Sequence, residues 1–348
     1  MKEWVMSREL QLSRANRLSL VSLILVVRNC ADIVHKSLES YKALDYPPEL
    51  KELIVVDGDS QDKTLERVRQ FLSENPGQFS KVTVLSNPKR SLATGWNLGV
   101  CAAEGEFVLR VDAHSEISPD YLRKGIESLL ENSRIAAAGG VLAVRPRNES
   151  RVARAIVRIL ASRLGTGNSP FRHSGNLKAP FFSDTALFAV YRREIFSKVG
   201  HFNESLERGQ DIEFHDRVLA NGYKLVTDPS MTALYYAVGN MGEFISKARR
   251  TGFWAVAGGA PRRRHLIPAL FVLYCLAVPV VAGVLAHYGM SLLLTLFLIP
   301  ASAYLLLLFG SAFIGPKLGL YFPLLAAFHF SYGLGGLEAL WRRLRKSS

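Results

Sequence analysis

Three short stretches of this 348-residue chain carry residue types that can do chemistry. The first is Val55-Val56-Asp57-Gly58-Asp59-Ser60-Gln61-Asp62. A carboxylate at the end of a strand can accept hydrogen bonds from a nucleobase N–H or a ribose hydroxyl. An Asp/Ser helix cap would use the same residues, and both readings stand. The second stretch is Arg110-Val111-Asp112-Ala113-His114. Residues i and i+2 of an extended segment point the same way, so Asp112 and His114 can share one divalent cation, Mn²⁺ or Mg²⁺. A satisfied polar turn is the plainer alternative. The third is Gly209-Gln210-Asp211-Ile212-Glu213-Phe214, followed by Arg217. A carboxylate in the first turn of a helix suits the helix dipole. In a cleft it can also serve as a general base that takes the proton of an acceptor hydroxyl. The chain has neither a Walker P-loop nor a GxGxxG. A diphosphate would therefore need another counter-charge, which a cation at Asp112 would provide.

These residues need a scaffold, and the first 115 positions describe one. SLILVV at 22–27, ELIVVD at 52–57, KVTVL at 81–85 and FVLRVD at 107–112 are apolar, β-branched runs of the kind buried on both faces of a parallel sheet. Helical stretches separate them: one to about Ala43, one after Ser60, and one capped by Ser91 and running through Val100. A further helix carries Pro119 in its first turn. Alternating strands and helices predict an α/β fold, with ligands outside the carboxyl ends of the strands. Arg28, Asp57, Asp59, Asp62, Asp112 and His114 all fall at those ends. Asp211 opens a helix ending near Asn221-Gly222.

Charge is unevenly spread. Lys and Arg number 43 against 30 Asp and Glu, +13. Residues 261–348 hold eight basic residues against Glu338 alone, +7, leaving +6 for the rest. A hydrophobic content of 49% excludes a disordered chain. Basic residues beside apolar segments are membrane-surface chemistry, and nucleic acid is not expected as a partner. A second basic stretch, 145–172, has Arg147, Arg151, Arg154 and Arg158 at helical spacing and then a loop, Leu164–Pro170. A solvated face and a site for anionic head groups or a lipid pyrophosphate are both consistent with it. Cys30, Cys101 and Cys275 lie too far apart for a metal motif or a disulfide framework, which predicts a reducing compartment. The apolar run Leu20–Val27 reads as a strand rather than a signal-peptide core.

From Leu266 to Pro316 no Lys, Arg, Asp or Glu occurs. As helix this would extend roughly 76 Å, enough for two crossings of a hydrocarbon core of about 30 Å. Crossings are expected at about 266–286 and 290–312. Segment 318–340 is less apolar and either spans or re-enters. Arg262-Arg263-Arg264 before the first crossing put the polar body in the cytosol, with a multi-pass anchor in the inner membrane. The expected organisation is a tail at 1–18, a catalytic domain at 19–240, an amphipathic connector at 241–264, a membrane region at 265–340 and a basic tail at 341–348.

The order strand–Asp57-x-Asp59-Ser, Asp112-x-His114, Arg192-Arg193, Val-Gly-His-Phe-Asn-Glu at 199–204 and Gln-Asp211 resembles the inverting family 2 glycosyltransferases of the GT-A fold. Arg-Val-Asp-Ala-His, Gly-Asn-Ser-Pro-Phe-Arg, Ser-Asp184-Thr and Gly-Gln-Asp are most similar to the succinoglycan-biosynthesis, ExoA-like exopolysaccharide branch. The resemblance covers about residues 19–255. It implies a nucleotide-sugar donor held by Arg28, Asp57, Asp59, Arg90 and Asp112, a divalent cation at Asp112 and His114, and Asp211 as base. Asp184 and Glu213 become acceptor contacts. A lipid-linked saccharide becomes the acceptor, and other polysaccharide-assembly proteins become partners. His114 stands where the family usually has a second Asp, and Gln210 where it usually has Glu. The Gln-x-x-Arg-Trp motif of processive synthases is not present in that form, so one sugar per binding event is expected. A polyprenyl-phosphate sugar synthase and a catalytically inactive GT-A scaffold are the competing functions.

Overall fold

A computed structural model describes residues 18–167, 169–173, 177–258, 263–313 and 319–347. Tail residues 1–17, Arg262, Asn168 of the expected loop, and Lys317 lie outside the described residues.

The apolar runs form strands. β1 (Val21–Val27), β2 (Lys51–Asp57), β3 (Lys81–Ser86) and β4 (Phe107–Arg110) pair in parallel in the order 3-2-1-4, with Ile24 opposite Ile54 and Leu23 opposite Leu109. β1, β2 and β4 are buried along their whole length, which is why their sequences do not alternate. β3 is the edge strand and does alternate. Helices α1 (Val34–Lys42), α2 (Thr64–Glu74) and α3 (Leu92–Ala102) make the crossovers. Next come β5 (Ser115–Ile117), α4 (Tyr121–Glu131), β6 (Ile135–Pro146), α5 (Arg151–Ala161), β7 (Phe181–Ser183), β8 (Val190–Arg192), α6 (Glu194–Val199), α7 (Gln210–Ala220) and β9 (Lys224–Ala237). β8 lies antiparallel to β4 and extends the sheet through β6 and β9 to β5, while β7 pairs with β9.

Two local expectations change. Pro119 precedes α4, whose N-cap is Asp120, rather than sitting in its first turn. β4 stops at Arg110, so Asp112 and His114 lie in the following turn, closed by the Ser115 N–H donating to the Asp112 carbonyl at 3.0 Å.

The chain divides into two compact units, Met1–Val144 with Asn168–Tyr236, and Arg145–Gly167 with Ala237–Ser348. The first, the sheet unit, is built on Trp96, Val108, Tyr191, Phe196, Phe202 and Phe214 packed against Ile24, Ile54 and Val56. Phe196 stacks on Phe214 at 5.0 Å between ring centroids. The second, the helical unit, contains α5, a helical turn at Arg163–Thr166, α8 (Met241–Ala257), α9 (Arg263–His287), α10 (Ser291–Phe313) and α11 (Tyr321–Ser347). The arginine-rich segment thus belongs with the C-terminal helices, not with the sheet it follows in sequence. Arg145 lies in β6 and Arg147 precedes α5, so the helical spacing begins at Arg151. Part of the expected loop, Leu164–Thr166, is helical. Residues 341–347 are the last turns of α11 rather than a separate tail.

Ser150 caps α5 by accepting from the Ala153 N–H at 3.0 Å, and Asn240 caps α8 by accepting from Glu243 N–H at 2.8 Å. His265–His287 and Ser291–Gly310 are long and apolar enough to cross a membrane. Between them, Tyr274 donates its hydroxyl to the Phe297 carbonyl at 2.6 Å and accepts from the Ala301 N–H at 3.3 Å. Beside Pro300 that hydroxyl bridges a backbone pair which helix geometry would otherwise join directly.

Candidate active site

The loops at the carboxyl ends of β1 and β2 are stitched together. Asn29 accepts from the Gln61 N–H at 2.8 Å, and its own N–H donates to Ser60 Oγ at 3.1 Å. Asp57, 7% exposed at the end of β2, accepts from the Ser60 hydroxyl at 2.6 Å and the Ser60 N–H at 3.2 Å. Asp62 accepts from the Thr64 N–H at 3.0 Å and the Ala31 N–H at 3.1 Å, as a helix cap does. Ser60 and Asp62 therefore organise the loop, and Asp57 is held at the sheet edge. Gly58 packs so close that a Cβ there would sit 3.3 Å from the side chain of exposed Arg28. Asp59 and Arg90 both adopt positive φ, 58° and 56°, and form an ion pair with Arg90 Nε 2.9 Å from Asp59 Oδ2. Left-handed backbone at two non-glycine residues marks loops constrained by their surroundings.

β4 delivers the centre of the site. Its last residue, Arg110, is 6% exposed and lies over the rings of Trp96 at 4.7 Å and Phe202 at 5.5 Å. Its Nη1 is 3.8 Å from Asp211 Oδ2 in the first turn of α7. Burial opposes its charge, but the Asp211 carboxylate, the Tyr191 hydroxyl and Asp112 together hold its pKa above the ordinary value. The structure thus brings Asp112 and Asp211, 99 positions apart in sequence, to one buried guanidinium. Asp112 is half-buried, and its Oδ1 is a buried oxygen with no hydrogen-bond partner among the described residues. The Gln210 side-chain oxygen and Arg110 Nε are in the same condition. Orphaned polar atoms clustered beside a carboxylate are what a ligand or ion would satisfy.

That oxygen is also the test for a cation. A hard divalent ion on a diphosphate needs one or two protein carboxylates, with phosphate oxygens completing its shell. Asp112 fits this role. His114 is half-exposed two positions on, its ring edge-on to Tyr235 at 4.9 Å. Among the described residues no three His, Cys, Asp or Glu converge to bind a metal without a substrate.

Behind Asp211 lies a group that sequence reasoning does not single out. His215, one turn along α7, is fully buried. Its Nε2 is 2.9 Å from the Tyr191 hydroxyl and its Nδ1 3.1 Å from Thr185 Oγ1. Burial pushes its pKa down to about 4, with Arg110 acting in the same sense and Asp211 and Asp184 opposing. Asp184 and Asp211 therefore act on one imidazole, which puts them in one neighbourhood. Glu213 instead pairs with Arg217 at 2.6 Å, and Arg217 donates to the carbonyls of Val199 and His201 at 2.7 Å each. Glu204 of the Val-Gly-His-Phe-Asn-Glu stretch accepts from Asn97, Lys89 and Thr94, which hold its pKa at about 2. Both residues fasten the 199–204 loop: Glu204 to α3 and Glu213, through Arg217, to α7. Arg110 is the chief residue underrated from sequence. The signal was an arginine inside FVLR, a run otherwise fit for burial on both faces.

Residues 22–200 match the family model "Glycosyl transferase family 2". Among curated proteins, a Methanococcus voltae dolichyl N-acetyl-alpha-D-glucosaminyl phosphate 3-beta-D-2,3-diacetamido-2,3-dideoxy-beta-D-glucuronosyltransferase is 26% identical over 287 residues, 80% of this chain and 86% of that protein. The succinoglycan biosynthesis protein ExoA of Rhizobium meliloti (strain 1021) is 28% identical over 186 residues, 53% of each chain. Among solved structures, the mannosyltransferase PcManGT from Pyrobaculum calidifontis, in complex with GDP-Man and Mn²⁺, aligns with a TM-score of 0.61 at 19% identity. That alignment covers 94% of this chain and 89% of the other. The fold is GT-A-like.

Proposed function

The chain belongs to glycosyl transferase family 2, and from that premise we propose that it moves one sugar, with inversion, from a nucleotide-sugar, a UDP-sugar by our reading, to a hydroxyl of a membrane lipid-linked saccharide in cell-surface glycan synthesis. The observation that carries the reading is the Asp112–Arg110–Asp211 constellation, with a 3.8 Å contact from Arg110 to Asp211 and an orphaned oxygen on Asp112. Support for the acceptor class comes from the Methanococcus voltae relative, whose name describes transfer to a dolichyl phosphate-linked N-acetylglucosamine. The two apolar helices support a multi-pass inner-membrane anchor with the sheet unit cytosolic.

In this mechanism Asp57 holds the nucleoside at the end of β2, with Arg28 beside it. Asp59 and Arg90 brace the neighbouring loops. Asp211 takes the proton of the acceptor hydroxyl while that oxygen forms its bond to the anomeric carbon. The bond from that carbon to the diphosphate oxygen breaks on the opposite face, and the electron pair departs with the nucleoside diphosphate. Arg110, buried and fixed between Trp96 and Phe202, orients the Asp211 carboxylate. Asp112, with His114, would hold a divalent cation, Mn²⁺ or Mg²⁺, which when bound neutralises charge on the diphosphate. Asp184 is an acceptor contact on the side of His215.

The test is a donor screen with membranes containing the protein, short lipid-linked saccharides and either cation, reading the product by mass. The expected result is a gain of one sugar residue per acceptor. Transfer from no nucleotide-sugar, or transfer only onto polyprenyl phosphate itself, would contradict the proposal.

A further inference from the structure

Helix α11 meets the α9–α10 hairpin near its open end. Phe330 meets Phe271 at 6.4 Å between ring centroids. Gly333 lies against the Pro268 carbonyl and Val272, Gly336 lies against Ala269, and a Cβ at Gly333 would overlap its neighbours. His329 Nδ1 is 2.9 Å from the Tyr304 hydroxyl. From Phe330 to Gly336, α11 advances six residues, about 9 Å of helix rise. A helix accompanying α9 through a bilayer would carry its partners along by as much. Across Phe330, Gly333 and Gly336 the partners stay within Pro268–Val272, so over this stretch α11 crosses α9 instead of running beside it. Burial agrees. Among the described residues of the hairpin, Ala269, Val272 and Leu308 are the buried apolar ones, whereas Leu276, Val280, Val284, Leu292 and Leu296 are exposed.

Helix α8 does run beside α11. Phe244 stacks on Phe328 at 5.0 Å, Arg249 pairs with Glu338 at 3.0 Å, and Arg343 donates to the Ala257 carbonyl at 3.2 Å. Partners on the two helices advance together, so the pair is parallel. Gly252 and Gly335 let the backbones touch, since a Cβ on either would overlap a carbonyl of the other helix. α8 carries Lys247, Arg249 and Arg250 within four residues near its middle. Three cations in one turn are not placed at the centre of hydrocarbon. A helix locked along α8 shares its depth.

We propose that α8 and α11 form a parallel pair lying in the membrane interface across the open end of the hairpin, so that segment 318–340 does not cross, and that its exposed cations seat it on an anionic phospholipid surface. The cations are Arg250, Arg342, Arg343 and Arg345. Charge complementarity argues for this partner: the helical unit holds 17 Lys and Arg against three Asp and Glu. Trp341, half exposed with Arg345 over its ring at 3.8 Å, is the residue type that settles at head-group level. The inference rests on α9 and α10 being an inserted hairpin and is independent of the catalytic proposal.

The test uses the full chain with exposed Cys101 changed to Ser, and single cysteines placed at Leu320, Tyr288 or Leu344. Each variant is labelled with a membrane-impermeant maleimide in right-side-out and inside-out vesicles. Positions 320 and 344 should label from one face and 288 from the other. Labelling of 320 and 344 from opposite faces would overturn the interfacial placement. Labelling of all three from one face would overturn the inserted hairpin, and the inference with it. Should a variant fold poorly, protease trimming of the wild-type C terminus from the face bearing the sheet unit gives the same readout. For the lipid, Trp341 fluorescence is measured in vesicles of phosphatidylcholine with phosphatidylglycerol, bromine being carried by one lipid or the other, with Trp341→Phe as background. Each cation near the surface favours anionic lipid on the order of fivefold. Quenching should therefore be stronger from brominated phosphatidylglycerol, and the preference should vanish in R342Q/R343Q/R345Q. Equal quenching by the two lipids in the wild type would overturn the anionic surface.

Discussion

In the sheet unit 26 Lys and Arg face 27 Asp and Glu, and the important cations are individually placed: Arg110 between two rings, Arg217 on two carbonyls, Arg90 on Asp59. In the helical unit 17 face three, and most of the described cations lie along helices with few carboxylates to answer them. The whole basic excess of the chain, +13, therefore belongs to the helical unit; the unit with the candidate active site is close to neutral, at −1. One unit uses charge as position and the other uses it as density. Single substitutions should be severe in the first. In the second, effects should need several residues and should fade with salt.

The largest expected effect is at Asp211. Asp211→Asn keeps the shape but cannot take a proton, and should slow transfer to a hydroxyl acceptor by about 10²–10⁴-fold while donor affinity is retained. Rates and donor binding measured on the same preparation check this. A mild effect confined to phosphate acceptors would move the chemistry to polyprenyl phosphate, which needs no base.

Next come Asp112→Ala and His114→Ala. Both should lose cation-dependent transfer, Asp112→Ala the more because its orphaned oxygen is the better ligand. Titration of activity with Mn²⁺ and Mg²⁺ after EDTA is the measurement. Full activity of both variants in EDTA would remove the cation from this site.

His215 gives an intermediate effect confined to one unit. Its folded-state pKa of about 4 lies below the ordinary 6.5. Between those values the unfolded chain binds a proton that the folded chain does not, so stability is lost as pH falls through that window. Thermal unfolding of the sheet unit should weaken from pH 7 to pH 4.5, and His215→Gln should flatten that slope. An unchanged slope in the variant would place the proton uptake elsewhere.

The smallest effects belong to the dense charge. Changing Arg151, Arg154 and Arg158 to Gln should raise the apparent KM for lipid-linked acceptor at low salt and leave donor KM nearly unmoved. Each cation near an anionic surface contributes on the order of 1 kcal/mol. If acceptor KM does not move at low salt, these arginines are solvated surface only.

The parallel half of the sheet was legible because β1, β2 and β4 are buried on both faces and so written as unbroken apolar runs. The antiparallel half was not. β5, β7 and β8 are three residues each, and β6 begins Ile-Ala-Ala-Ala-Gly-Gly, where small residues serve close backbone approach rather than periodicity. Asp57, Asp112 and Asp211 could be found because strand ends and helix starts are visible in sequence. The hub joining two of them could not, since Arg110 is held by contacts with Trp96, Phe202 and Tyr191, the last two more than 80 positions away in sequence. Nor could the grouping of α5 with α8–α11, which depends on packing between segments about 80 residues apart or more. The glycines of α11 looked like weak hydrophobicity; in the fold they are contact surface for α8 and α9.

The central claim is a single displacement at the Asp112–Arg110–Asp211 site, and the anomeric configuration of the product tests it most directly. With an α-linked nucleotide-sugar and a lipid-linked acceptor, the anomeric proton coupling of the isolated product should report a β-linkage. An α-linkage, formed by the same preparation and lost in Asp211→Asn, would mean retention and would contradict the account.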